Sequence, residues 1–143
     1  MMMDKVETIL KCNEYLKTVT GSRFAFSGSY GLYIQGVELD REFHDMDIKF
    51  LDLDREELSK LKVDFEPTIH KLKSSPIGTD DYKEVEFHGE KLLVYTPQFI
   101  VDCKKHTLDF IENKAKIKTE GRLYTAEKIK SDLTFLKEKY GLE

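Results

Sequence analysis

The chain has 143 residues, of which 40% are hydrophobic and 35% charged, and a net charge of −4. That length suits one domain with a real core, and no apolar run reaches the length of a membrane span. The acidic balance argues against a broad grip on nucleic acid, while leaving room for a local basic pocket that takes a phosphorylated small molecule. The opening MMMDKVETIL lacks the basic region and long apolar core of a signal peptide, which predicts a cytoplasmic protein. Cys12 and Cys103 stand alone, without CxxC spacing, and read as reduced, packed thiols.

Residues 4–19 predict a helix, capped by Asp4, with Val6, Ile9, Leu10, Leu16 and Val19 at helical spacing. Thr20-Gly21-Ser22 ends it, and Arg23 to Phe26 form a short strand. Ser27-Gly28-Ser29 is a turn, followed by a short helix from Tyr30 to Gln35 that Gly36 closes. Val37 to His44 is a polar loop, and Met46 to Leu51 a second strand. Asp54 with Glu57 resembles a capping box for a helix over 54–61. A third strand lies within 63–73, and Pro67 makes it an edge or bent strand. Residues 74–79 read as a loop. Tyr82 to Phe87 and Lys91 to Tyr95 form a hairpin joined at His88-Gly89. Thr96-Pro97 starts a helix that runs to about Asn113. Lys114 to Gly121 is a basic connector, and Thr125 caps a last helix to about Tyr140. The expected fold class is α/β (α+β): a small mixed sheet covered by helices, in one domain with a core over about 4–96 and a C-terminal helical part over about 97–143.

The chemistry concentrates between Phe24 and Phe50. Strand alternation puts Asp45, Asp47 and Lys49 on one face and Met46, Ile48 and Phe50 on the other. Alone, such a pair of aspartates also describes a half-exposed edge strand with a polar outer face. Gly28-Ser29 upstream adds a strand-to-helix turn where the backbone can approach a ligand and exposed N–H groups favour an anion. A phosphate seat beside two carboxylates for a divalent cation is the equipment of metal-assisted nucleotidyl or phosphoryl transfer. A third carboxylate would act as general base or complete the metal shell. Glu86, on the polar face of the better-formed strand, is preferred, with Glu84 and Glu66 as alternatives.

Other polar residues have two readings each. His44 is either an added metal ligand or a loop histidine near the site. Lys49 either neutralises the carboxylates or touches a phosphate. The basic set Lys104, Lys105, Lys114, Lys116, Lys118 and Arg122 is either a solvated helix face or a polyanion contact at the cleft rim. Tyr30 and Tyr33 either stack on a base or pack under the short helix. His70, His88 and His106 read as surface positions.

Phe26-Ser27-Gly28-Ser29, a gap of fifteen residues, and Asp45-Met46-Asp47-Ile48 resemble the motif of the nucleotidyltransferase superfamily, with the DNA polymerase β-like fold. Within it the chain is similar to the small aminoglycoside-adenylyltransferase-like and AbiEii-toxin-like groups. Those place an Arg before the acidic pair, as Arg41 stands here, and a hairpin before Ser/Thr-Pro and a helix, as Val85 to Pro97 does. Arg122, Lys128, Asp132 and Leu133 resemble their late basic and Asp-Leu positions, so the likeness spans about 23–136. It implies that Gly28 and Ser29 hold nucleotide phosphates, that Asp45 and Asp47 bind Mg²⁺, and that Glu86 joins them in catalysis. The partners would then be a nucleoside triphosphate and a hydroxyl acceptor on a small molecule, a protein or a nucleic-acid end, with no membrane. The alternative is a non-catalytic binding or regulatory module on the same fold.

Overall fold

A computed structural model describes residues 4–72 and 80–143, so the loop expected over 74–79 lies outside the described residues. Helix α1 (Lys5–Thr20) begins where Asp4 accepts a hydrogen bond from the Glu7 N–H and ends at Gly21 in the left-handed region. It buries Ile9, Cys12 and Leu16 in the same core as the sheet's apolar face. Burial also pushes the Cys12 thiol up to about 12, as expected of a packed, unreactive cysteine. Strand β1 (Phe24–Ser27) is buried along its whole length. Covered on both faces, it must carry a continuous small-and-apolar run, and it lies at the centre of the sheet.

Five strands make a mixed sheet in the order β3-β2-β1-β5-β4, comprising β1, β2 (Met46–Phe50), β3 (Ile69–Leu72), β4 (Tyr82–Phe87) and β5 (Glu90–Tyr95). β1 runs antiparallel to β2, which aligns Phe24 with Phe50 and Phe26 with Ile48. β1 runs parallel to β5, and β2 parallel to β3. The apolar set Phe24, Phe26, Met46, Ile48 and Phe50 is thereby buried together. Each fully buried Phe or Ile contributes roughly 1.5–3 kcal/mol through burial.

Local signals placed several elements. Helix α3 (Arg55–Lys60) has the full capping box, with Asp54 and Glu57 exchanging side-chain-to-backbone hydrogen bonds. Helix α4 (Pro97–Asp109) starts at Thr96-Pro97, and the Thr96 side chain accepts from the Phe99 N–H. β4 and β5 form the expected hairpin, with His88 (φ 48°) and Gly89 (φ 84°) at its tip. β3 is an edge strand, starting just beyond Pro67.

Three boundaries differ from the sequence reading by more than one residue. Helix α2 (Gly28–Ile34) begins at Gly28 itself, so the Gly-Ser turn is its first turn. α4 continues into a π-helical turn, Phe110–Lys114. Helix α5 (Glu120–Tyr140) starts earlier than Thr125, because Thr119 caps it by accepting from the Arg122 N–H. The Thr125 hydroxyl instead donates back to the Gly121 carbonyl inside the helix. α5 meets the main core through Leu136, while Ile111, Ala126 and Ile129 form a small second cluster against the end of α4. Among the described residues, no helix is long and apolar enough to cross a membrane.

Candidate functional site

β1 and β2 together explain why the Gly-Ser turn and the aspartates meet. The antiparallel register pairs Ser27 with Asp47, so the residue after β1 lies against the start of β2. That residue is Gly28, at φ 63°, a conformation that favours glycine. The space a side chain would need there is taken: a Cβ on Gly28 would lie 2.1 Å from Asp47 Oδ2. The turn and the carboxylate are therefore in direct contact.

Asp45 and Asp47 line a cleft of about 960 Å³ together with Ser27, Gly28 and Ser29. β3 supplies the adjoining wall. Its parallel register sets His70 beside Asp47, with Nδ1 3.6 Å from Asp47 Oδ1 and Nε2 3.7 Å from Asp45 Oδ2. These distances exceed hydrogen bonds, so the imidazole acts on the carboxylates only through charge and polarity. Burial pushes the Asp47 carboxyl above its usual range; His70 and Lys104 oppose that shift, and Asp45 adds to it.

Opposite the sheet, α4 and α5 close the cleft. Asp132 on α5 is 1% exposed and is the anchor of this side. Arg41 Nε donates to Asp132 Oδ1 and Nη2 donates to Oδ2, both at 2.7 Å, a bidentate fork. Lys104 Nζ on α4 donates to Asp132 Oδ2 at 3.3 Å. Burial alone would raise the Asp132 carboxyl; the Arg41 hydrogen bond and the Lys104 charge outweigh it and hold the group below the usual range. One buried carboxylate thus ties α4, α5 and the loop that leads into Asp45.

Lys49, on the same face as the aspartates, is 3% exposed. Its Nζ sits 5.0 Å from the Tyr95 ring centre and 5.1 Å from that of Phe99, and burial lowers its pKa. It neutralises neither aspartate: no ion pair to it occurs among the described residues. Tyr30 is buried edge-on against Phe43, so it packs the core. His44 and His106 line the cleft, and His44 stays in the loop before β2.

The structure does not bring Glu86 to the aspartates. Sequence reasoning put the third carboxylate on a strand antiparallel to β2. The antiparallel neighbour of β2 is β1, whose residues are FAFS, and β4 is the far edge strand. Three strand spacings separate β2 from β4, roughly 14 Å. Glu86 lines a separate hollow of about 430 Å³ with Tyr33, Glu38 and His88. Glu84 shares its strand, and Glu66 lies in the bend before β3, outside the cleft lining. The residue that does adjoin the pair is His70, read as surface because a strand's alternation does not reveal its partner strand.

The donors fit a hard divalent cation of modest demand. Two carboxylates on one strand face, with the Gly28 backbone packed directly against Asp47, suit Mg²⁺, which keeps several waters and takes its other ligands from substrate phosphates. Among the described residues, no three carboxylate, imidazole or thiolate groups converge to cage a metal unaided.

A mixed sheet in this order, with the Gly-Ser turn against the aspartate strand and helices closing the opposite side, is a nucleotidyltransferase-like fold. The chain is similar in structure to the antibiotic-resistance factor ANT(2'')-Ia, known from a solution structure. The TM-score is 0.55 at 12% identity, over 96% of this chain and 93% of that one. No family model and no curated protein matches the sequence.

Proposed function

We propose that the protein is a Mg²⁺-dependent nucleotidyltransferase that moves a nucleoside monophosphate from a nucleoside triphosphate to a hydroxyl acceptor: the acceptor oxygen bonds to the α-phosphorus, the bond from that phosphorus to the β-phosphate oxygen breaks, pyrophosphate leaves, and the hydroxyl proton passes to solvent. The observation that carries this is the contact between Gly28 and the Asp47 carboxylate on the wall of one cleft. On this reading a phosphate seat at Gly28 and a cation site at Asp47 would stand side by side. Asp45 and Asp47 would hold the ion, which when bound neutralises phosphate charge and polarises the attacked phosphorus. Gly28 and Ser29 would take the phosphate oxygens at close backbone approach. The Arg41–Asp132–Lys104 network would hold the opposite wall at a fixed distance, so that the bound triphosphate keeps one orientation.

A second reading is a nucleotide-binding module that does not catalyse transfer. It is favoured by one observation: the strand neighbouring Asp47 presents His70 rather than a carboxylate, and among the described residues no three ligating side chains form a group that could hold a metal ion.

Thermal unfolding with each nucleoside triphosphate, with and without Mg²⁺, tests the shared part of both readings. A ligand at about 100 times its Kd adds about 2.7 kcal/mol, a rise of several degrees. The double replacement Asp45→Asn with Asp47→Asn is expected to keep the fold and lose the Mg²⁺-dependent rise. Its own stability should not fall, because removing the buried Asp47 charge relieves a cost; a third of that side chain meets water, so the gain stays below about 1 kcal/mol. Transfer of α-phosphate label to acceptors separates the two readings. A nucleotide shift unchanged in the double variant would sink the site assignment.

A further inference from the structure

The connector before α5 and that helix's first turn are exposed without a break from residue 116 to 124. Three large exposed apolar side chains lie here, Ile117, Leu123 and Tyr124, with Ile117 and Tyr124 each 69% exposed, and the exposed Phe110 stands just before them. Several exposed apolar side chains on one short stretch make it a candidate interaction surface. The charge here also inverts that of the whole chain. Residues 114–130 carry six Lys or Arg against two Glu, in a chain of net charge −4.

Two features indicate what this surface meets. Its aromatic faces are paired with cations: Arg122 lies 5.8 Å from the Phe110 ring centre, and Lys128 lies 5.6 Å from that of Tyr124. Lys116 and Lys118 make no ion pair among the described residues, whereas Lys104 and Lys114 are committed to Asp132 and Asp109. Lysines without an ion pair among the described residues, beside aromatic rings that each carry a cation on one face, suit a phosphate backbone whose unstacked bases take the rings' other faces. The surface is also continuous with the cleft, because Tyr124, Thr125 and Lys128 line it with Asp45 and Asp47. Among the described residues, the carboxylates lining that cleft are Glu42 and the two aspartates, against Arg41, Lys49, Lys104 and Lys128. A polycationic acceptor would find little to bind there. A second copy of the chain would set this basic surface against itself across a two-fold axis.

We infer that the connector and first turn of α5 form the acceptor-binding surface, and that the acceptor is the end of a single-stranded nucleic acid, led along Lys116, Lys118, Arg122 and Tyr124 to the aspartates. This rests on the nucleotide-transfer reading above. The strand would run over the cation–aromatic pairs and deliver its terminal hydroxyl into the cleft.

The test uses the full chain and a fluorescent single-stranded RNA of about 12 nucleotides, followed by anisotropy over a salt series. Binding that weakens steeply with salt is expected. Reversing Lys116, Lys118 and Arg122 to Glu should weaken it at least about tenfold, while the Mg²⁺–nucleotide thermal shift stays intact. Tyr124→Ala should weaken RNA binding about tenfold and leave binding of polyglutamate unchanged. RNA affinity that survives the charge reversal overturns the proposal, as does no RNA binding by a protein that still shows the nucleotide shift. Polyglutamate bound as tightly as RNA, with no effect of Tyr124→Ala on either, overturns it in favour of an acidic protein partner. A self-associating protein whose dimer is broken by Ile117→Asp overturns it in favour of a second copy. Absence of the nucleotide shift itself refutes the transfer reading and is scored separately.

Discussion

Gly28→Ala is expected to destabilise the protein by about 3 kcal/mol and to abolish the Mg²⁺-dependent nucleotide shift. Two costs add. A non-glycine residue at φ 63° costs roughly 1–2 kcal/mol in backbone energy alone. The new methyl would also stand 2.1 Å from Asp47 Oδ2 and 3.0 Å from its Cγ. Asp47 must then leave its rotamer or β2 must shift, and overpacking of this kind costs roughly 1–3 kcal/mol. Gly36→Ala separates the two effects. Gly36 has φ 82° but nothing within 4 Å of the place its Cβ would take, so it should show the backbone cost alone and keep the nucleotide shift. Urea denaturation gives both stabilities, and thermal unfolding with Mg²⁺ and nucleotide gives the site. A Gly28→Ala protein that keeps the full shift would show that the contact with Asp47 has no part in binding.

Asp132→Ala is expected to cost about 3–5 kcal/mol, because it strands two partly buried cations without an anion. Arg41 and Lys104 are 26% and 15% exposed and share this one carboxylate, itself 1% exposed. At about 3 °C per kcal/mol for a chain of this size, the melting temperature should fall by roughly 10–15 °C. The loss should reach the site as well, since Arg41 belongs to the loop that leads into Asp45. Replacing all three residues with apolar ones of similar volume should recover most of the stability, which distinguishes stranded charge from lost packing.

The same carboxylate sets part of the pH dependence. Its pKa in the folded chain lies below the unfolded value, so it stabilises the fold above about pH 4 and loses that contribution as pH falls through the folded value. Asp132→Asn should therefore show a shallower acid limb in a stability profile than the parent protein. Equal acid limbs in the two proteins would remove Asp132 from the account.

Much of the fold was legible because its signals are local. Asp4, the Asp54–Glu57 box and Thr96-Pro97 each place a helix start through a hydrogen bond to a backbone N–H three residues on. The helix start furthest from its sequence reading, that of α5, also has a local cause. Gly121 breaks the helical pattern just after the true cap Thr119, and Thr125 resembles a cap while bonding back into the helix. The polar face of Asp45, Asp47 and Lys49 follows from strand alternation, and the structure keeps all three at the cleft.

The sequence by itself determined the Gly-Ser turn, the paired aspartates and the strand that carries them, since each depends on residues a few positions apart. Tertiary structure alone decided what surrounds them. Strand order sent Glu86 to the far edge, register brought His70 to the aspartates, and helix packing turned Arg41, Lys104 and Asp132 into one buried network. It also laid Lys49 across Tyr95 and Phe99. Alternation along a strand fixes which face a side chain occupies and says nothing about which strand lies beside it, because pairing joins residues tens of positions apart through backbone hydrogen bonds that every residue type can make.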